Sequence, residues 1–196
     1  MKSVYLLLTR SGTILSRLIH LFTLDEFTHI SISADGTLKN LYSFSRKYTY
    51  LPLPAGFTRE SAYKGYIGRH PLMKCALYEL KVSDEAYRRI NNRIAAMSTV
   101  SDEYQYSLLG VVFCAFGYEL KRSRHYFCSQ FVGELLNQSG AVALPKPAGL
   151  MHPDDYLEIP ELTLIYRGTI MGLVNHMYNR RQVKNRVVWT DSRVIS

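Results

Sequence analysis

A histidine and a cysteine in this chain have the neighbours that a catalytic pair needs. His29 lies in the alternating segment Phe27–Ser33, and Cys128 lies much later, in the segment Phe127–Val132. A thiol that gives its proton to an imidazole becomes a strong nucleophile toward carbonyl carbon. If the first segment is a strand and the second opens a helix, the pattern predicts a thiolate–imidazolium pair, the working unit of a cysteine hydrolase or acyltransferase.

The residues after Cys128 predict a helix that would activate its thiol. The apolar residues share one helical face, and they are Cys128, Phe131, Val132, Leu135 and Leu136. Ser139-Gly140 then supplies a glycine suited to a C-cap. The first turn of a helix offers unpaired N–H groups and the positive end of the macrodipole, which stabilise a thiolate and an oxyanion. The alternative is that Cys128 is a small buried hydrophobe, as many free cysteines are.

The other cysteines and histidines lack this combination of neighbours. Cys75 falls in a predicted strand and Cys114 in an apolar helix, which is typical of inert buried thiols. His125 is close to Cys128 in sequence, but neighbouring positions at a helix start point apart. His152 is predicted to lie in a loop. Three cysteines in separate contexts favour a reducing compartment, so a cytoplasmic location is expected.

The residue that orients the imidazole depends on the register of a predicted hairpin. Asp35-Gly36 is a hairpin signal between the strand of His29 and a second strand at Leu41–Ser45. A two-residue turn places Tyr42 opposite His29, whereas a loop one residue longer places Ser43 there. Ser43 is favoured, with Tyr42 as the alternative. A serine hydroxyl would orient the ring without adding the charge of a carboxylate.

The elements around the pair predict an α+β class. Strands are expected at residues 4–8, 28–34, 41–45 and 74–82, and helices at 14–22, after Ser83, at 106–116 and after Cys128. Residues 48–71 are rich in proline, glycine and aromatic side chains without periodicity, which predicts an extended loop. Residues 1–175 are expected to form one catalytic domain, followed by a basic tail at 176–196.

The net charge and the hydropathy of the chain limit which classes of partner it can have. A net charge of +8 permits attraction to nucleic acid, anionic lipid or anionic polymers without choosing among them. Peripheral contact with anionic surfaces fits this charge, whereas nucleic acid is not expected because no nucleic-acid motif is present. No apolar stretch approaches the roughly 18 residues that span a bilayer, so no transmembrane segment is expected.

The order of these features resembles a known family. A histidine strand before a hairpin, a long insertion and then Phe127-Cys128-Ser129-Gln130-Phe131-Val132 are similar to the circularly permuted NlpC-like branch of papain-fold proteins, which includes YiiX-type hydrolases and lecithin–retinol acyltransferase. The resemblance extends to Arg10–Ile19, Leu41–Lys47 and Pro153–Tyr156. In standard papain-like enzymes the cysteine helix precedes the histidine strand, and here the order is reversed.

The resemblance implies a papain-like core, in which an antiparallel sheet packs against the Cys128 helix. Cys128 would be the nucleophile and His29 the base. Branch members commonly carry a histidine or an acidic residue at the third position, where this chain offers Tyr42 or Ser43. The expected function is acyl hydrolysis or transfer on an amide or ester of a small-molecule, peptide or lipid substrate, with no cofactor and no metal. The alternative is a catalytically inactive papain-like or basic module that binds lipid, wall fragment or nucleic acid.

Overall fold

The computed structural model describes residues 1–10, 25–47 and 54–191, with side chains described up to residue 182, and these ranges contain eight strands and five α-helices. The strands are β1 (Lys2–Thr9), β2 (His29–Ser33), β3 (Leu41–Arg46), β4 (Ala55–Glu60), β5 (Lys74–Val82), β6 (Gln105–Tyr106), β7 (His125–Tyr126) and β8 (Leu162–Thr169). The helices are α1 (Gly65–Gly68), α2 (Asp84–Thr99), α3 (Leu108–Ala115), α4 (Cys128–Ser139) and α5 (Ile170–Asp191), with short 3-10 turns at Ser101–Glu103, Ala148–Leu150 and Pro153–Glu158. The α+β class predicted from the sequence is confirmed. The helix predicted at residues 14–22 and the last five residues of the basic tail lie outside the described residues.

The strands form one sheet in the order β7-β6-β4-β3-β2-β1-β5-β8. Its pairings are antiparallel except that of β6 with β7, which is parallel. The resemblance implied an antiparallel sheet, and the observed sheet is mixed because α3 carries the chain from β6 back to β7 in the same direction. No helix in the described ranges is both long and apolar enough to cross a membrane.

Both faces of the sheet are buried, because successive side chains of its central strands point to opposite sides. On one face, side chains from β1, β2 and β5 pack with those of α2 and α4, and these include Leu6, Leu8, Ile30, Ile32, Ile90 and Val132. On the other face, Leu7, Leu41 and Leu77 pack with Ile170 and Leu173 of α5. Burial of each such aliphatic side chain contributes about 2 kcal/mol. The sheet is therefore a rigid platform between two helical layers.

Local sequence signals predict where α2 begins and where α4 begins and ends. The Ser83 hydroxyl caps α2 by accepting a hydrogen bond from the Ala86 N–H at 3.1 Å. Helix α4 ends at Gly140, which has φ of 74°, a left-handed conformation that glycine adopts without steric cost. The predicted start of α4 at Cys128 is also confirmed.

Residues 48–71 were predicted to be an extended loop, and that prediction is wrong at residues 55–60 and 65–68, which form β4 and α1. β4 pairs residue by residue with β3, from Leu41 with Glu60 to Arg46 with Ala55. The Phe57 ring packs edge-on against Phe44 at 5.8 Å between centroids. This cross-strand pairing overrides the weak local preferences of the segment. At the other end of the chain, the boundary predicted after residue 175 falls inside α5.

Candidate active site

Cys128 is the first residue of α4 and lies at the N-terminal end of its axis. The preceding residue, Phe127, has an extended backbone and is the N-cap, with its carbonyl accepting from the Phe131 N–H at 3.0 Å. Only 4% of the Cys128 surface is exposed. The thiol therefore sits beside the unpaired N–H groups of a first helical turn, in a site that is largely closed to bulk water.

His29 is the first residue of β2, and its imidazole contacts two groups. The Cys128 thiol lies near enough to the ring to help raise the pKa of His29. The Nε2 atom lies 2.9 Å from Oε2 of Glu60. The His29 and Glu60 side chains are each 14% exposed. The structure thus brings together the histidine and cysteine that the sequence singled out, and it adds a carboxylate that the sequence reading missed.

Glu60 is held in place by its own strand and by a neighbouring hydroxyl. It is the last residue of β4. Its Oε1 atom accepts a hydrogen bond from the Ser45 hydroxyl at 2.7 Å, while Oε2 faces His29. The Ser45 hydroxyl is also 2.7 Å from the Thr58 hydroxyl. These contacts fix the carboxylate in the plane where it can orient the imidazole.

The register predicted for the β2–β3 hairpin is wrong. Ile32 pairs with Tyr42, and continuing that antiparallel register places Ser45 opposite His29. The Ser43 hydroxyl donates to the Ile30 carbonyl at 2.6 Å. The other expected third residue, Tyr42, stacks its ring on Phe57. Neither Ser43 nor Tyr42 occupies the position opposite His29 that the sequence reading assigned to it.

The register differs because the connection between β2 and β3 runs over residues 34–40 instead of two or three residues. The Asp35 side chain accepts from the Thr37 N–H at 2.7 Å, which forms a local turn. Leu38 then adopts a left-handed backbone, with φ of 56°, and is buried. Its carbonyl accepts from the Ala62 N–H at 3.1 Å. Burial of Leu38 under the segment after β4 lengthens the loop, and no rule for isolated hairpins contains that contact.

The charges of His29 and Glu60 stabilise one another. Burial disfavours the charged imidazole, but the charge of Glu60 and the hydrogen bonds to Cys128 and Glu60 outweigh burial and raise the pKa of His29 well above its usual value. Burial likewise disfavours the carboxylate, but the charge and hydrogen bond of His29, together with Ser45, lower the pKa of Glu60. An imidazolium and a carboxylate therefore coexist at neutral pH.

Two tyrosines lie close enough to Cys128 to sense its charge. Burial raises the pKa of Tyr106 well above its usual value, and a negative charge at Cys128 raises it further. The same two causes raise the pKa of Tyr156. The Tyr156 hydroxyl donates to the Ser129 carbonyl at 2.6 Å and so anchors the first turn of α4. Both phenols stay protonated next to the sulfur.

The two other thiols differ from one another. Burial raises the pKa of Cys75 to about 12, as expected for an inert thiol. Cys114 was predicted to be inert as well, but its thiol lies near enough to His152 to help raise the pKa of that imidazole. His125 is directed elsewhere, with Nδ1 2.8 Å from the Ser123 carbonyl.

A signal for Glu60 is present in the sequence, although it is weak. If the segment after Pro54 is a strand with Phe57 buried, its alternating side chains place Thr58 and Glu60 together on the opposite face. A short strand that ends in a carboxylate is a reasonable source for a third catalytic group. The surrounding prolines and glycines hide this pattern.

The geometry allows acyl chemistry through sulfur. A buried thiol at a helix start, an imidazole in contact with it and a carboxylate behind the imidazole are the parts that nucleophilic catalysis uses. In the described part of the chain, no group of three or more histidine, cysteine or acidic side chains is arranged to hold a metal ion. No family model matches the sequence, and no curated protein matches it.

Proposed function

We propose that this protein is a cysteine-dependent hydrolase or acyltransferase that acts on an amide or ester bond. One observation carries the proposal: the His29 imidazole is bonded to the Glu60 carboxylate at 2.9 Å and also interacts with the Cys128 thiol. A histidine placed in this way accepts the thiol proton, and the carboxylate stabilises the imidazolium that results.

In the proposed reaction, the Cys128 sulfur attacks the carbonyl carbon after its proton has moved to His29. The carbonyl oxygen becomes an oxyanion, and the first-turn N–H groups of α4 are its nearest donors along the chain. His29 then gives its proton to the leaving amine or alcohol, and the C–N or C–O bond breaks. An acyl group remains on sulfur. Water, or another acceptor, loses a proton to His29, attacks the carbonyl and restores the thiol.

Glu60 fills the third position in this proposal, in place of Ser43 or Tyr42. A carboxylate fixes the orientation of the imidazole as a hydroxyl does, and in addition it offsets the positive charge that forms on the ring. The Ser45 hydroxyl is a positioning group, because it acts through Glu60. This assignment gives the pair stronger polarisation than the sequence reading expected.

We also infer a papain-like core in the permuted arrangement and a substrate that is a small molecule, a peptide or a lipid. The order of the histidine strand before the cysteine helix supports this arrangement, as does the packing of α4 against the sheet. The three cysteines are free and buried, which fits a reducing compartment such as the cytoplasm.

The rate of alkylation by iodoacetamide tests the proposed pair. Wild-type protein is treated between pH 5 and 9, and peptide mass spectrometry gives the rate at each cysteine separately. We expect Cys128 to react rapidly well below pH 8 and the His29→Ala variant to lose this fast reaction. Cys75 is the internal control for an unactivated buried thiol. His125→Ala is the matched histidine control, and we expect it to leave the Cys128 rate unchanged.

A covalent intermediate tests the acyl chemistry itself. We expect wild-type protein treated with p-nitrophenyl acetate to gain the mass of one acetyl group at Cys128, and the Cys128→Ala variant to gain none there. Alkylation of Cys128 at the rate of an ordinary thiol, together with no acetylation, would contradict the enzyme and favour a binding module in the same cleft.

A further inference from the structure

A second thiol–imidazole–carboxylate cluster lies outside the proposed active site. It consists of Cys114 near the end of α3, His152 just before the 3-10 turn at Pro153–Glu158, and Asp25 before β2. The His152 Nδ1 atom is 3.2 Å from Oδ2 of Asp25, and the Cys114 thiol lies near enough to the ring to help raise the pKa of His152. The proposed acyl chemistry uses none of these three residues.

The cluster is held together by backbone contacts between distant parts of the chain. The Asp154 carboxylate accepts hydrogen bonds from the N–H groups of Glu26 and Phe27, the latter at 2.9 Å. The His152 N–H donates to Asp155 at 2.5 Å. These bonds fix the segment that carries Asp25 against the segment that carries His152. The His152 imidazole is therefore held next to the Asp25 carboxylate.

The charged groups around His152 are mostly acidic. The acidic side chains are Asp25 and Glu26 before β2, Asp154 and Asp155 in its own turn, and Glu119 after α3. Three of them pair with a cation in the described chain: Asp155 with Lys146, Glu26 with Arg167 and Glu119 with Lys121. Hydrogen bonds to Asp25 and Cys114 raise the pKa of His152 to about 10, against a smaller opposing effect of burial. The ring is thus an imidazolium at neutral pH.

The position of this imidazolium suits a reactive sulfur. A positive charge beside a cysteine favours the thiolate, which is the form that reacts with oxidants and electrophiles. Cys114 is 7% exposed, and the His152 and Asp25 side chains are 22% and 12% exposed, so the cluster opens to solvent through the imidazole.

We propose that Cys114 is a modification site for hydrogen peroxide, with His152 as its proton donor and Asp25 as the positioning residue for His152. The Cys114 thiolate attacks one peroxide oxygen, an S–O bond forms, and the O–O bond breaks. The departing hydroxide takes a proton from the His152 imidazolium and leaves as water. Sulfur is oxidised by two electrons to a sulfenic acid, and the peroxide is reduced by the same two electrons.

Trapping of the sulfenic acid with dimedone tests this proposal. The full chain with Cys128→Ala is treated with hydrogen peroxide and dimedone at pH 7, and peptide mass spectrometry measures the adduct at Cys114 and at Cys75. We expect labelling at Cys114 and almost none at Cys75 in the folded protein, and equal labelling of both in urea. His152→Gln is expected to slow Cys114 labelling on the order of 100-fold, because the proton donor is lost.

The pH profile of the Asp25→Asn variant separates positioning from a general loss of structure. Asp25 raises the pKa of His152, so without Asp25 we expect the pH above which Cys114 labelling declines to move downward while thermal unfolding stays cooperative. Equal labelling of Cys114 and Cys75 in the folded wild-type background would overturn the proposal without help from any variant. An unchanged Cys114 rate in folded His152→Gln would overturn the role of the histidine. Both results are independent of acylation at Cys128.

Discussion

At the scale of single residues, the decisive group is Glu60, which links Ser45 to His29 and, through His29, to Cys128. Glu60 accepts from Ser45 through one oxygen and faces His29 through the other, and His29 contacts Cys128. The carboxylate thus acts on the sulfur only through the imidazole. A substitution that removes the charge of Glu60 and keeps the shape of its side chain is the most direct test of its role.

We expect Glu60→Gln to slow the reaction of Cys128. The amide keeps the size of the side chain but removes the charge that holds His29 as an imidazolium, so fast alkylation at pH 6 should fall by on the order of 100-fold or more. The measurement is the iodoacetamide rate at Cys128 with Cys75 as internal reference. Glu79→Gln is a control on β5, where Glu79 accepts from Tyr5 at 3.2 Å. No difference between the two variants would remove Glu60 from the proposed triad.

Two serines on β3 give opposite expectations. Ser45→Ala removes a hydrogen bond to Glu60, and we expect about a fivefold slower Cys128 alkylation, the equivalent of one lost hydrogen bond. Ser43→Ala removes a bond to the Ile30 carbonyl and should lower the free energy of unfolding by about 1 kcal/mol without slowing alkylation. Urea denaturation and alkylation rates check both. The reverse pattern would support the hairpin register predicted from the sequence.

At the scale of elements, the first turn of α4 is anchored from outside the helix. Tyr156 is fully buried, and its hydroxyl donates to the Ser129 carbonyl, one residue after the candidate nucleophile. The opposite end of the helix is set locally by Gly140. Local sequence signals therefore define which residues α4 contains. The hydrogen bond from the distant Tyr156 side chain anchors the first turn of α4 in the fold.

We expect Tyr156→Phe to lower both stability and reactivity. Loss of the buried hydrogen bond should cost about 1–2 kcal/mol of unfolding free energy, and a looser first turn should slow Cys128 alkylation. The matched control is Tyr87→Phe. Tyr87 lies on α2, and its hydroxyl donates a similar hydrogen bond to the Ala34 carbonyl at 2.9 Å. That control should lose stability and keep the Cys128 rate. If Cys128 is alkylated equally fast in Tyr156→Phe and Tyr87→Phe, then Tyr156 does not position the nucleophile.

At the scale of the whole molecule, the buried pair makes stability depend on pH in a defined window. The pKa of Glu60 is lowered from 4.5, so its contribution is present above pH 4.5 and is lost as the pH falls through the folded-state value. The pKa of His29 is raised from 6.5, so its contribution is complete below pH 6.5 and is lost as the pH rises through the folded-state value. Both contributions are complete between pH 4.5 and 6.5.

We therefore expect the stability difference between wild type and Glu60→Gln to be largest within that window, at about 2 kcal/mol, and to shrink on both sides. Urea denaturation at a series of pH values measures it. A difference that stays constant from pH 3 to pH 10 would mean that the two side chains do not interact as ions.

Local patterns were sufficient for some parts of the fold and site. The alternation around His29 predicted β2, the apolar face after Cys128 predicted α4, and Gly140 marked its end. Each depends on the side-chain period of one element and on backbone conformations that nearby residues specify. The same patterns could not predict β4, because its pairing with β3 and the packing of Phe57 against Phe44 outweigh the effect of Gly56 and of the two prolines just before the strand.

The sequence by itself determined which residues could do chemistry, since a cysteine at a helix start and a histidine in a strand are local facts. The tertiary structure decided which groups meet. Burial of Leu38 lengthened the hairpin loop and moved Ser45 opposite His29, β4 brought Glu60 to the imidazole, and the contact of Asp25 with His152 built a second cluster around Cys114. Register and side-chain contact arise from packing between segments far apart in the chain, and that information is not contained in any one segment.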